Sequence, residues 1–225
     1  MPYLRGWMWA GLCGALLLGG CRSTSEDLSS FLQRSRRMRL QPVAWEPVTA
    51  LTFDTGEALA AGRVVDGEWE VRDGRLWAVA GDGHRAVLLL ASGWDPVRIE
   101  FDAACFGVGR RLGDITILLN TTADGEFFKR GYALTTGSFW NHCTTFYRDG
   151  MPLARTEYSP LLSGRVNRVV LEFNRGHIRY WLNDEIILEA WDEAPQAMLQ
   201  ERWIGIRTWD TLMWVDNLRV SRGLP

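Results

Sequence analysis

Residues 166 to 191 read VNRVVLEFNRGHIRYWLNDEIILEAW, and this stretch decides the fold. Alternate positions in its two halves are apolar, namely Val169, Leu171 and Phe173 and then Ile178, Tyr180 and Leu182. A hydrophobic period of two is typical of a strand with one buried and one solvated face. Asn183 and Asp184 then favour a tight turn before a further strand, Glu185–Trp191. The stretch therefore predicts consecutive short strands joined by turns.

The same pattern continues through most of the chain. Asp-Gly pairs, which favour hairpin turns, begin at Asp66, Asp73, Asp82, Asp124 and Asp149. Further strands are predicted at Trp69–Arg72, Arg75–Ala80, Ala86–Leu90, Val97–Phe106, Asp114–Asn120, Tyr132–Thr136, Cys143–Arg148, Trp203–Trp209 and Trp214–Val220. No helical periodicity of any length accompanies them, so crossover helices are not expected. A dozen short strands with tight turns predict an all-β antiparallel sandwich or barrel.

The N-terminus has the parts of an export signal. Arg5 precedes an apolar run, Trp7–Leu18, whose dozen residues are too short to span a bilayer, which needs about 20. Leu18-Gly19-Gly20-Cys21 resembles the lipobox of bacterial lipoproteins, which implies cleavage before Cys21 and lipidation of its side chain. An ordinary cleaved signal that ends in cysteine is the alternative. The residue after this cysteine is Arg22 and not aspartate, which by the same resemblance leaves sorting to the outer membrane open.

These features divide the chain and suggest a location. We expect a signal peptide at residues 1–20, a polar tether at 21–44 and one β-sandwich domain at 45–225. The resemblance implies a lipid-anchored protein of the bacterial cell envelope, with the membrane as a partner through Cys21. A net charge of −2 gives no indication of nucleic-acid binding. The oligomeric state stays open.

Cysteine and histidine usage indicates neither a cofactor nor a metal site. Beyond the signal and anchor only Cys105 and Cys143 remain, and the chain has three histidines. The two cysteines could form one disulfide in an exported protein. Cys105 also continues an inward alternation of apolar residues, which equally favours a buried free thiol.

The last strands carry a resemblance to a known fold group. Ile204–Trp209 and Val215–Val220, together with Arg165–Trp191 and the hairpin Gly67–Leu76, look like concanavalin A-like jelly rolls, including laminin-G-like domains. The resemblance covers roughly Leu51 to Ser221 and implies an antiparallel two-sheet jelly-roll sandwich. The group includes lectins, hydrolases, lyases and adhesion modules, so it does not fix a function.

Polar and aromatic residues on several predicted strands suggest a binding face. Flat aromatic rings stack on pyranose rings, while amide, imidazole and guanidinium groups hydrogen-bond sugar hydroxyls, and such sites need few convergent polar groups. The alternative is that these residues only face solvent or pack. We predict a carbohydrate-binding face formed by Asp114, Asn120, Tyr132, Trp140, His142, Arg148, Arg207 and Trp209.

Two other functions remain open at this point. A glycoside hydrolase or lyase could use the same scaffold, with His142 as general base and Asp114 as its partner by strand parity. The paired-acid strand of sandwich glucanases is absent, since Glu68 and Glu70 lack its order of acids. A structural or protein-interaction module would need no groove. Calcium at Asp216 and Asn217 is a further option, although we expect this dipeptide only to shape the last strand.

Overall fold

The computed structural model describes residues 44–60, 62–79, 85–107, 113–126, 129–197, 199 and 201–224. The predicted signal peptide, Cys21 and nearly all of the tether lie outside these residues. Within them are two one-turn helices, α1 (Glu57–Ala60) and α2 (Ser138–Asn141). No helix of the described part is long and apolar enough to cross a membrane. The strands are β1 (Trp45–Leu51), β2 (Arg63–Asp66), β3 (Glu68–Arg72), β4 (Arg75–Val79), β5 (Arg85–Ser92), β6 (Val97–Gly107), β7 (Ile115–Thr121), β8 (Tyr132–Gly137), β9 (Cys143–Arg148), β10 (Met151–Thr156), β11 (Asn167–Asn174), β12 (His177–Leu182), β13 (Glu185–Trp191), β14 (Trp203–Trp209) and β15 (Thr211–Gly223).

The strands form two antiparallel sheets, as the sequence predicts. An eight-stranded sheet has the order β13-β12-β11-β6-β15-β4-β3, with β1 also paired to β15. A seven-stranded sheet has the order β10-β9-β8-β7-β14-β5-β2. The core lies between them, where Leu88, Ile117 and Phe146 of the second sheet belong to one buried cluster with Ile99 and Leu171 of the first. The all-β sandwich is therefore confirmed.

Tight turns close the hairpins where the sequence places them. The pairs Asp73-Gly74, Asp149-Gly150 and Asn183-Asp184 each connect neighbouring strands as a two-residue loop. Both residues of each pair have positive φ, between 50° and 75°. Two successive left-handed residues define the turn whose twist matches paired strands. The local sequence thus determines the register of these three hairpins.

One predicted hairpin turn has a different role. Asp66-Gly67 links β2 of the seven-stranded sheet to β3 of the eight-stranded sheet, so it is a crossing between layers. A Cβ atom at Gly67 would lie 2.6 Å from the Cβ atom of Ala86, which restricts this crossing to glycine. Asp124-Gly125 lies in the longer β7–β8 connection. Asp82-Gly83 lies outside the described residues.

The cysteine question is resolved by the fold. Cys105 is buried in the core on β6, and Cys143 is buried on β9 of the other sheet. Both are free thiols. The Cys143 thiol lies 3.7 Å from the Thr145 hydroxyl instead. The buried-thiol interpretation is therefore the correct one.

Candidate functional site

The outer face of the seven-stranded sheet is defined by β14. Ile204 and Ile206 point into the core, so Arg207 and its alternate neighbours point away from it. Directly paired residues share a face, and the register places seven residues in one row across the sheet. This row is Asp66, Val87, Arg207, Thr116, Thr135, Thr145 and Arg155.

Three adjacent hydroxyl groups form the middle of that row. We call Thr116, Thr135 and Thr145 the threonine row. The Thr116 hydroxyl lies 3.0 Å from the Thr135 hydroxyl and donates a hydrogen bond of 3.2 Å to Asp114. All three side chains are buried, with Arg207 and Arg155 at the two ends. The row thus places hydroxyl groups between two cationic side chains.

Asp114 fixes the end of β14 against the start of β7. Its carboxylate accepts hydrogen bonds from the backbone N–H of Trp209 at 2.6 Å and from the Thr208 hydroxyl at 3.0 Å. The side chain is only 8% exposed. Burial raises the pKa of Asp114, while the Trp209 N–H, the Arg207 charge and the threonine hydroxyls oppose the rise. The position of Trp209 therefore depends on this buried acid.

Arg207 and Trp209 lie side by side on this face. The Arg207 guanidinium carbon lies 5.4 Å from the centroid of the Trp209 ring, within the range of a cation–π contact. Trp209 is 43% exposed. Burial lowers the pKa of Arg207, Asp114 raises it, and the positive charge of Arg85 lowers it further. An aromatic plane and a guanidinium donor are thus presented together.

An apolar floor adjoins the threonine row on the same face. We give this name to Val87, Leu89, Leu118 and Ala133, which form a cluster separate from the main core. Val65, Tyr147 and Trp203 pack against it as half-buried side chains. Gly205 sits between Leu89 and Leu118 in the register. A Cβ atom there would lie 2.6 Å from the Leu88 carbonyl oxygen, so the floor requires glycine at this position.

The sequence prediction is wrong about the face that Tyr132 occupies. Tyr132 is fully buried in the core, where its ring stacks on Phe146 with centroids 5.4 Å apart. Its hydroxyl donates to Asp192 at 2.9 Å and accepts from the Gln196 N–H at 2.7 Å. Burial raises the pKa of the hydroxyl far above its usual value. Both faces of β8 are buried, so alternation there does not show which side chain points outward.

Asn120 and Arg148 are placed with Tyr132 and not with Arg207. Arg148 donates to Asp192 at 2.6 Å and to the Ala194 carbonyl oxygen at 3.0 Å. Asn120 is fully buried and donates to the Ala197 carbonyl oxygen at 3.1 Å. Their described contacts secure the connection between β13 and β14. In this arrangement they support the fold at the end of the sandwich.

The remaining predicted residues lie near α2. His142 is exposed and directly follows this helix, where its backbone N–H bonds to the Ser138 carbonyl oxygen at 3.1 Å. Trp140 lies within α2, and its side chain is outside the described atoms. Of the eight predicted site residues, the structure brings Asp114, Arg207 and Trp209 together on one face. Thr135, Thr145 and Tyr147 also lie on this face. The sequence prediction missed them because it assigned the wrong alternate residues of β8 and β9 to the outer side.

The outer face of the eight-stranded sheet has a different chemistry. Buried Glu172 accepts from Arg98 and from Arg179, each at 2.5 Å. The exposed side of Trp77 has Arg72 over its ring at 4.4 Å, and Phe106 stacks on it at 5.9 Å. Charges and aromatic rings on this face are therefore already paired with one another. We regard it as the supporting face.

Asp216 and Asn217, the pair considered for calcium, shape the last strand on this supporting face. The register of β15 shifts after Asp216, and Asn217 has a φ of 52°. The Asn217 amide donates to Asp102 at 2.8 Å. Among the described residues no group of three His, Cys, Asp or Glu side chains is placed to hold a metal ion. The dipeptide thus forms a bulge in the last strand, as expected.

Comparison with known proteins identifies the fold and no family. No family model and no curated protein matches the chain. The carbohydrate-binding module CBM66 from Bacillus subtilis is 17% identical, with a TM-score of 0.58 over 71% of this chain and 94% of its own. A protein of unknown function with a galectin-like fold from Bacillus subtilis is 14% identical, with a TM-score of 0.64 over 80% of this chain and 99% of its own. The potassium-bound carbohydrate recognition domain of Emp46p is 14% identical, with a TM-score of 0.62 over 81% and 100%.

These likenesses show a galectin-like jelly-roll β-sandwich. The fold agrees with the concanavalin A-like group that the sequence resembles. At these identities they say nothing about which residues of this chain bind a ligand.

Proposed function

We propose that this protein binds carbohydrate through the outer face of the seven-stranded sheet. The observation that carries the proposal is the exposed Trp209 ring beside the Arg207 guanidinium, with the threonine row next to them. An aromatic plane stacks on the apolar face of a pyranose, and guanidinium groups donate to sugar hydroxyls. Two of the structural neighbours are named as carbohydrate-binding proteins, which supports the same ligand class.

Binding is better supported than hydrolysis. A general base needs a partner that orients it and a second group within hydrogen-bond reach of the reacting atom. Asp114, the partner suggested for His142, instead bonds to Thr116, Thr208 and Trp209. Its carboxylate is committed to holding two strands together. The described geometry therefore favours a binding protein.

The lipobox supplies the second part of the proposal. Lipidated Cys21 would hold the β-sandwich near a bilayer of the bacterial cell envelope, where polymeric glycans are within reach. Labelling of the full-length protein by a metabolic fatty-acid probe tests this. Cys21→Ser should lose the label, and it should no longer be recovered in the membrane fraction. Equal labelling of both proteins would contradict the anchor.

The test of binding uses two tryptophans in similar pairs on opposite sheets. Trp209 pairs with Arg207, while half-buried Trp181 pairs with Arg179 at 5.2 Å on the supporting face. The full-length protein is applied to a glycan panel, and any product release is recorded. Trp209→Ala should lose binding, whereas Trp181→Ala should keep it. Turnover that His142→Ala abolishes would replace the proposal by the enzyme, and no glycan response would favour the interaction module.

A further inference from the structure

A short described segment lies against the proposed binding face. Thr122–Glu126 follows β7 and reaches β5, beyond the intervening strand β14. A Cβ atom built on Gly125 would lie 2.7 Å from a methyl group of Val87, so the backbone of Gly125 is in contact with the apolar floor. Val87 is completely buried. The segment therefore covers this part of the face.

A charged contact holds the segment in this position. The Glu126 carboxylate pairs with Arg85 of β5, and Arg85 also donates to Asp66 of β2 at 2.7 Å. The side chains of Arg85 and Glu126 are 27% and 23% exposed, so the pair is partly desolvated. Arg207 lies close enough to Arg85 for the like charge to lower the pKa of Arg207. Two neighbouring guanidinium groups thus depend on nearby acids.

The rest of the described segment is bound mainly to itself. The Asp124 carboxylate accepts from the Thr122 hydroxyl and from the Glu126 N–H at 3.1 Å, and it pairs with Lys129 at 3.1 Å. Ala123 and Asp124 are exposed. A shallow cleft of about 440 Å³ separates the segment from β2, lined by Arg63, Val64, Val65, Thr122, Ala123 and Asp124. Along this cleft the segment is therefore not packed directly against β2.

We propose that Glu126 occupies the place of an anionic group of the ligand, so that the face takes an acidic sugar. In this account a carboxylate or sulfate of the sugar replaces Glu126 at Arg85 when Thr122–Glu126 moves away from Val87. The inference rests on the proposed carbohydrate binding. A neutral sugar that displaced the segment would take Glu126 away from Arg85. Of the two acids described as pairing with Arg85, only Asp66 would then remain, and the like charge of Arg207 lies nearby. Removing one partner from a partly buried pair is unfavourable, whereas an anion restores a charge-assisted contact.

The first experiment removes the competing charge. Uronate-bearing and sulfated oligosaccharides are each compared with their methyl-esterified or desulfated counterparts, using the full-length protein. Glu126→Gln should bind the acidic forms roughly tenfold more tightly, because no internal carboxylate competes. The control Glu70→Gln removes a more exposed acid that also pairs with an arginine, Arg72, at 3.3 Å on the other sheet. It should leave the affinity unchanged.

The second experiment fixes the segment in place. The built Cβ atom of Gly125 lies 3.7 Å from the Cβ atom of Val87, within the range that a disulfide spans. The double variant Val87→Cys/Gly125→Cys should lose acidic-glycan binding on oxidation and regain it on reduction. Gly125 has a φ of 69°, so thermal unfolding of the reduced variant checks that it is folded.

The outcomes separate this inference from the function on which it rests. Glycan binding that ignores both the charge of Glu126 and the disulfide would overturn the inference and leave carbohydrate binding intact. Preference for the uncharged counterparts would overturn the ligand class in the same way. Absence of binding by the wild type, by Glu126→Gln and by the reduced double variant would overturn both.

Discussion

The backbone N–H of Trp209 donates a 2.6 Å hydrogen bond to the carboxylate of Asp114, across the junction of β14 and β7. The acid is buried and the indole is exposed, so a core-like contact sets the position of a surface aromatic ring. Proteins hold binding residues in place by such supporting contacts. The proposed binding face therefore depends on a residue that is itself buried.

Asp114→Ala should destabilise the protein and weaken glycan binding together. The substitution leaves the Trp209 N–H without its acceptor, and a buried unpaired group costs about 1–3 kcal/mol. The Thr208 hydroxyl loses the carboxylate but keeps the Asp114 carbonyl oxygen at 2.8 Å. Urea unfolding measures the free energy of unfolding, and titration calorimetry measures the affinity. Asp114→Asn keeps an acceptor oxygen and should lose less of both. Equal stability of the Ala variant and the wild type would contradict the role of this acid.

The fold was predictable because the alternation is clear where one face is solvated. On β11, Val169 and Leu171 point inward as predicted, and on β14 the exposed Trp209 points outward. The strands β1, β2 and β10 were not predicted. Pro47 lies within β1 and Pro152 within β10, and both strands have irregular pairing there. Strand signals weaken where the pairing itself is interrupted.

The site was less predictable because the alternation of polar and apolar residues does not show which face is outward where a strand is buried on both faces. β8 and much of β9 are buried on both sides, so Ala133 and Thr135 on one face are as inaccessible as Tyr132 and Leu134 on the other. Tyr132 therefore looked like a surface aromatic ring, although it packs on Phe146. Thr135 and Thr145 face the opposite way. Only the contacts between sheets decide this orientation.

Tyr132→Phe should lower stability without changing glycan affinity. It removes the acceptor of the Gln196 N–H and one donor to buried Asp192, which costs about 1–3 kcal/mol. Thermal unfolding and the glycan titration are measured on the same preparation. Loss of affinity at unchanged stability would return Tyr132 to the binding site.

His177 should make the protein less stable in mild acid. Its ring is 3% exposed, stacks on Trp191 at 4.0 Å and lies 2.7 Å from Glu189. Burial lowers its pKa below the usual 6.5, although the charge of Glu189 and, more weakly, Glu172 opposes this and Arg179 adds to it. The unfolded chain then takes up this proton at higher pH than the folded chain does. The contribution of His177 to stability is therefore complete above pH 6.5 and is lost as the pH falls through the folded-state pKa.

Unfolding at a series of pH values tests this assignment. The free energy of unfolding should fall less steeply on acidification in His177→Gln than in the wild type. The same slope in both proteins would show that other groups cause the acid sensitivity.

Gly205→Ala should destabilise the protein by about 1–3 kcal/mol, the usual range for an overpacked site. The added methyl group would meet the Leu88 carbonyl oxygen at 2.6 Å and a Leu89 methyl group at 2.9 Å. Leu88 lies on β5, which is paired on both sides, so its backbone cannot move aside easily. Gly56→Ala is the matched control, because nothing lies within 4 Å of a Cβ atom there. Equal urea midpoints for the two variants would contradict the close approach of β14 and β5.

Binding of glycan on the outer face of the seven-stranded sheet should be visible in the indole N–H resonances of the tryptophans. The resonances are assigned with single Trp→Phe variants and followed by NMR during titration with the glycan that the panel identifies. Trp209 should shift most and Trp203 should follow, while Trp181 and Trp77 of the supporting face should stay in place. Shifts confined to Trp181 and Trp77 would contradict the account.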